Sequence, residues 1–118
     1  MTDIDYQGIY DVIADTLPNR WDKIVVHFLR WSGSSEIVYY VKTRDEGYRD
    51  CYSLGVPDTV LLNKCVELLA LIKNDDNQWK ALTLTIGADG TFLASADYSS
   101  DIDDTDNYMK TWSTAYLK

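Results

Sequence analysis

Lys23-Ile24-Val25-Val26-His27-Phe28-Leu29-Arg30-Trp31-Ser32-Gly33-Ser34-Ser35-Glu36-Ile37-Val38-Tyr39-Tyr40-Val41-Lys42-Thr43 is the stretch that decides the fold. Over residues 23–31, Ile24, Val26 and Phe28 alternate with Val25, His27 and Leu29, the two-residue period of a strand whose faces are both partly apolar. Ser32-Gly33-Ser34-Ser35 interrupts the period with small residues, and residues 36–43 resume it. There Ile37, Tyr39 and Val41 share one face, while Glu36, Val38, Tyr40 and Lys42 share the other, so the first set is expected to face the core. Two such runs joined by a small polar loop predict a β-hairpin. The polar turn Arg44-Asp45-Glu46-Gly47 then leads into a third strand over 48–53, completing an antiparallel meander.

Outward from this meander the period changes. Before it, Ile9, Ile13 and Leu17 recur every four residues, with Tyr6 and Tyr10 widening the stripe, which predicts a helix over 3–17 capped by Asp3 or Asp5 and stopped by Pro18. After it, Gly55-Val56-Pro57-Asp58 opens a second helix reaching about residue 73. Its core stripe is Leu61, Cys65, Leu68, Leu69 and Ile72, with Asn63, Lys64 and Glu67 nearer solvent and Asn74-Asp75-Asp76-Asn77 as a polar exit. Residues 79–86 alternate again, Gly87-Ala88-Asp89-Gly90 reverses the chain, and 91–98 returns as a fifth strand; Asp89-Gly90 suits a turn with positive φ. Tyr108, Trp112 and Tyr116, four apart, predict a third helix. The expected fold is therefore α+β: an antiparallel sheet of about five strands in the order helix, three strands, helix, two strands, helix, with the helices covering one face. At 118 residues this is a single domain spanning 1–118.

Charge narrows the function. Nineteen acidic residues against eleven basic give a net charge of −8, which disfavours direct nucleic-acid binding, because gripping phosphates takes concentrated lysine and arginine. A basic protein is the expected partner. The charge is concentrated: Asp97, Asp101, Asp103, Asp104 and Asp106 fill five of ten consecutive positions, directly after the fifth strand. As a calcium loop starting at Asp101 this run has Asp106 where the central glycine belongs and Trp112 where the closing glutamate belongs. An ordinary solvated loop before a helix or a protein-recognition edge accounts for it better. Tyr98 adjoins the run and can anchor such an edge with a rigid ring. A second group comprises Asp45, Glu46 and Asp50, partly neutralised by Arg44 and Arg49, with Tyr40 and Tyr52 able to project nearby. Trp31, Trp79 and Trp112 are expected in the core or at its boundary.

Catalytic and cofactor motifs are missing. His27 is the only histidine, so sites needing two are excluded, and between Val26 and Phe28 it suits a sheet contact. No serine or cysteine stands in a nucleophile motif, and the glycines carry no phosphate-binding spacing. Neither enzyme activity, cofactor nor metal is expected. Cys51 and Cys65 suit buried thiols better than a disulfide. The acidic beginning Met1-Thr2-Asp3-Ile4-Asp5 does not resemble a signal peptide and no stretch is long and apolar enough to span a membrane, so a cytoplasmic location is expected. The residues leave open a regulatory adaptor for a basic protein and, less well supported, a small hydrolase assembled from His27 and distant acids.

The pattern as a whole resembles the YezG-like family of immunity proteins, the antitoxins of bacterial polymorphic toxin systems. The resemblance runs through the proline-ended first helix, Trp21-Asp22-Lys23, Gly33-Ser34-Ser35-Glu36 followed by Ile37-Val38-Tyr39-Tyr40, and Trp79-Lys80-Ala81-Leu82-Thr83-Leu84-Thr85-Ile86. It continues in Asp89-Gly90-Thr91-Phe92, the pair Asp97-Tyr98, and the ending Trp112 and Tyr116-Leu117. It implies an intracellular protein that binds and neutralises a cognate toxin domain, often a nuclease, by covering its nucleic-acid-binding or catalytic surface, as in contact-dependent growth inhibition. It implies no catalytic residue. Asp97-Tyr98 matches a recurrent family pairing, and the neighbouring aspartates are candidate determinants of toxin specificity.

Overall fold

A computed structural model describes residues 6–31, 34–44, 47–72, 79–98 and 102–117. The cap residues Asp3 and Asp5, the loop residues Ser32 and Gly33, the acids Asp45, Glu46 and Asp101, and the exit Asn74-Asp75-Asp76-Asn77 lie outside the described residues. The chain runs α1 (Tyr6–Ile13) with a 3-10 turn (Ala14–Thr16), β1 (Trp21–Trp31), β2 (Ser34–Thr43), β3 (Gly47–Asp50), a second 3-10 turn (Cys51–Leu54), α2 (Asp58–Ile72), β4 (Ala81–Gly87), β5 (Phe92–Asp97) and α3 (Thr105–Tyr116). This is the expected α+β order around a five-stranded sheet, and every pairing is antiparallel.

The sheet order is β3-β2-β1-β4-β5. β1 is central, laddered to β2 from Trp21↔Thr43 to Trp31↔Ser34 and to β4 from Lys23↔Gly87 to Leu29↔Ala81. That position explains its doubly apolar sequence, because every residue from Ile24 to Leu29 is buried. On one face Ile24, Val26 and Phe28 join Ile37, Tyr39, Val41, Leu82, Leu84 and Ile86 under α1 and α2, whose Ile9, Ile13, Leu61 and Leu68 close the main core. The expectation that helices cover one face is overturned by α3, which lies on the other. There Leu29, Ala81 and Ile102 form a smaller cluster flanked by Trp31, Tyr108 and Met109. Central strands with hydrophobic side chains on both faces need cover on both, and α3 supplies the second layer.

Two other expectations change. The third strand stops at Asp50 because its carboxylate accepts hydrogen bonds from the Ser53 backbone N–H and hydroxyl, both at 2.9 Å, turning Cys51–Leu54 into a 3-10 turn that Gly55 closes at φ 80°. Lys64 is buried, not solvent-facing: it is 9% exposed, donates to the Val12 carbonyl at 2.7 Å and pairs with Asp15 at 2.7 Å. In the β4–β5 turn only Gly90 adopts positive φ (90°), while the Asp89 carboxylate accepts from the Thr91 N–H (3.2 Å) and hydroxyl (2.7 Å).

The two edges of the sheet differ. β3 is four residues long and, among the described residues, pairs only with Tyr40–Thr43 of β2. Beyond it the two cysteines cover β2: the Cys65 thiol donates to the Ile37 carbonyl at 4.0 Å, and the Tyr39 backbone N–H is directed at the Cys51 sulfur. Both are free thiols. At the other edge β5 pairs with β4 alone among the described residues. No helix among them is long and apolar enough to cross a membrane.

Candidate functional site

α3 is held on the sheet by an aromatic and polar cluster. Its four-residue spacing sets Tyr108, Trp112 and Tyr116 along one side, and each meets a ring or hydroxyl. Trp112 stacks on His27 with centroids 4.1 Å apart, its Nε1–H donates to the Thr83 hydroxyl at 2.9 Å, and Tyr40 and Tyr116 lie 5.3 and 5.6 Å away. The Tyr108 hydroxyl and His27 Nε2 are 3.0 Å apart. Burial lowers the His27 pKa to about 4, so the ring is neutral at pH 7. Burial, and after it the Asp97 carboxylate and Tyr116, pushes Tyr108 up to about 12. His27 is thus a packing and hydrogen-bonding residue under α3, in keeping with its place in the strand.

Because α3 rests on these long side chains, a groove of about 420 Å³ opens between it and β5. Tyr108, Thr111, Trp112, Ala115 and Tyr116 form one wall; Ser95, Ala96, Asp97 and Tyr98 form the other, with Thr83 beneath. No basic side chain is among these residues. The register of β5 explains the second wall: Thr83↔Ser95 and Ala81↔Asp97 set Ser95 and Asp97 on the α3 face, while Ala94 and Ala96 turn to the main core.

Of the residues singled out in the sequence, Asp97 and Tyr98 both line this groove, and Tyr98 is 50% exposed. Asp103, Asp104 and Asp106 are exposed at the start of α3, where Asp106 also suits the positive end of the helix dipole. Ile102 anchors that approach: it is buried, and its carbonyl accepts from Trp31 Nε1 (3.4 Å) and the Thr105 hydroxyl (2.8 Å). Asp50 sits on β3, at the opposite edge, with its carboxylate engaged by Ser53. Asp50 and Asp97 are therefore four strand spacings apart, about 19 Å, whereas Asp103, Asp104 and Asp106 flank Thr105, which lies over Glu36, Val38 and Tyr40 of β2. Tyr40 is half-buried beside Trp112, and Tyr52 is exposed next to Asp50. Trp79 and Trp112 are buried and Trp31 half-buried.

Sequence reasoning did not anticipate Tyr108, Thr111, Tyr116 and Ser95 as groove residues. The signal was the aromatic stripe of the last helix, which also reads as ordinary core packing; what turns it into a wall is the polar floor of Thr83 beneath. A second cavity of about 450 Å³ lies on the opposite face, between Trp79, Phe28 and Arg30 on one side and Val66, Leu69 and Ala70 of α2 on the other. The Arg30 guanidinium lies 4.0 Å from the Trp79 ring centroid there. No set of three or more histidine, cysteine or acidic residues among those described is arranged to hold a metal ion.

In comparison with known proteins, no family model matches this chain and no curated protein matches it.

Proposed function

We propose that the protein is an intracellular, cytoplasmic immunity protein that binds a basic toxin domain, such as a nuclease of a polymorphic toxin system, and neutralises it one-to-one. The observation that carries the reading is the groove between β5 and α3, walled by aromatic rings, holding the Asp97 carboxylate and no basic side chain. Such a groove attracts lysine and arginine side chains both by charge and through ring faces. The resemblance of Asp97-Tyr98 and of the aromatic ending to the YezG-like immunity family supports the same reading.

In this mechanism the chain performs no chemistry. Its carboxylates occupy the cationic residues a nuclease uses to hold phosphate, and the bulk of α3 and the sheet edge excludes the nucleic acid. The net charge of −8 accelerates encounter with a basic surface, and the rigid rings slow release.

Co-expression with the toxin domain encoded beside it tests the reading. Growth should be rescued and a one-to-one complex recovered. Replacing Asp103, Asp104 and Asp106 by asparagine should lower the association rate about tenfold at low salt, with little change in dissociation, as expected of rim charges. No rescue and no complex with that domain would favour an adaptor for a different basic protein.

A further inference from the structure

The groove and the bare sheet edge are one surface. In an antiparallel ladder a residue directs both backbone groups at the same neighbour, and successive residues alternate. The Gly87 N–H donates to the Thr91 carbonyl at 2.8 Å and the Lys80 N–H to the Asp97 carbonyl at 2.7 Å, which sets the phase. Residues in phase with Thr91 face β4, so the backbone groups of Phe92, Ala94 and Ala96 face away from the sheet. No described strand meets them. Proteins usually blunt such an edge with lysine, proline, a bulge or a very short strand. The opposite edge has that protection in four-residue β3 and the two thiols beside it. β5, Phe92-Leu93-Ala94-Ser95-Ala96-Asp97, has six residues with no lysine, arginine or proline, and Leu93 is 68% exposed.

We infer that the outer edge of β5 receives an extended, basic segment of the partner as a sixth strand, placing an arginine or lysine side chain in the groove beside Asp97. A side chain opposite Ser95 or Asp97 on an added strand starts about 5 Å from theirs. From there a guanidinium can lie over the Tyr108, Trp112 or Tyr116 ring within the roughly 6 Å at which cations are attracted to ring faces. Backbone pairing supplies affinity without regard to sequence, and the acid-and-aromatic groove selects for a cation at alternate positions. The charge also argues against a second copy of this chain, since each copy carries −8. The inference rests on the protein-binding reading above and does not require that the partner be a toxin.

The test uses the full chain and a short acetylated peptide alternating arginine and valine. Bound peptide should slow amide hydrogen exchange at Phe92, Ala94 and Ala96 by about tenfold or more, with little change at Leu93 and Ser95, which are already bonded to β4. The same peptide N-methylated along its pairing edge should bind at least about tenfold more weakly, since only its backbone donors are lost. Ala94→Pro, which removes an outward N–H, and Ser95→Arg, which fills the groove with a cation and leaves the backbone intact, should each weaken binding to a similar degree. Ser95→Arg serves if the proline variant does not fold. No binding at about 1 mM peptide, binding without protection at those amides, or equal binding of the N-methylated peptide would overturn the inference. So would concentration-dependent protection of the same amides in the free protein, which would make the occupant a second copy. If the wild type rescues cells from the toxin and a folded Ala94→Pro variant rescues equally, the edge is excluded while the immunity reading stands; if the wild type gives no rescue, the toxin reading fails and the peptide result still decides the edge.

Discussion

Lys64 occupies the middle of the buried stripe of α2, three residues after Leu61 and four before Leu68, a position where an apolar side chain would be the ordinary choice. Its aliphatic stem lies in the interface and its ammonium reaches the Val12 carbonyl at the end of α1 and the Asp15 carboxylate beyond. Helical position was legible in the sequence; that a lysine could be accepted there was not, because the partner is a backbone carbonyl on a distant helix. Lys64→Met should cost about 1–3 kcal/mol in urea denaturation by orphaning that carbonyl. Asp15→Asn should change little, since the carboxylate is solvent-exposed. The cysteines illustrate the same limit. The preference for thiols was readable, but their service to the bare part of β2 depended on the 3-10 turn that replaced the end of the third strand. Burial raises the pKa of both thiols, for Cys51 against the opposing pull of the Tyr39 N–H. At neutral pH both should therefore react with an alkylating reagent far more slowly in the native protein than in urea, and Cys65 before the more buried Cys51, as peptide mass spectrometry would show.

α3 is the element whose existence was plain and whose location was not. Tyr108, Trp112 and Tyr116 declare a helix by their spacing, but the side chains that receive Trp112 and Tyr108, His27 and Thr83, are polar, and the apolar residues beside them, Val25, Leu29 and Ala81, do not say which helix covers them. Trp112 carries the docking through its stack on His27 and its bond to Thr83. Trp112→Ala should cost about 3–5 kcal/mol and remove the near-ultraviolet circular dichroism of the cluster. His27 makes the attachment sensitive to acid. Its folded pKa of about 4 lies below the 6.5 of the unfolded chain, so between these values the unfolded state binds the extra proton. Stability from the neutral ring is complete above pH 6.5 and is lost as pH falls through 4, a difference of about 3 kcal/mol. Comparing the pH dependence of unfolding in wild type and His27→Phe isolates this contribution, and the variant should show a shallower slope between pH 4 and 6.5.

At the scale of the molecule, the α+β class and the order of elements follow from local periodicity, since each strand and helix carries its own two- or 3.6-residue signature. The sheet order does not, because nothing local in residues 81–87 records that they lie against residues 23–29 rather than outside β3. The candidate site divides the same way: Asp97 and Tyr98 were visible as residues, while their groove needed β5 to be an edge and α3 to cross to the far face. The order also has a kinetic side. β1 and β2 pair across a short loop, a local event on the microsecond scale, whereas β4 must close a long loop to reach β1. Leu84→Ala in β4 should therefore slow refolding in stopped-flow experiments, while Trp112→Ala, in a layer that can form only on a finished sheet, should chiefly hasten unfolding. During synthesis, which releases the N-terminal part first, β1 leaves the ribosome about sixty residues ahead of the strand that will flank it. The most apolar of the five strands is thus the first of them to be made and among the last to be enclosed, and for that interval the nascent chain, not the mature one, presents its strongest demand for a chaperone.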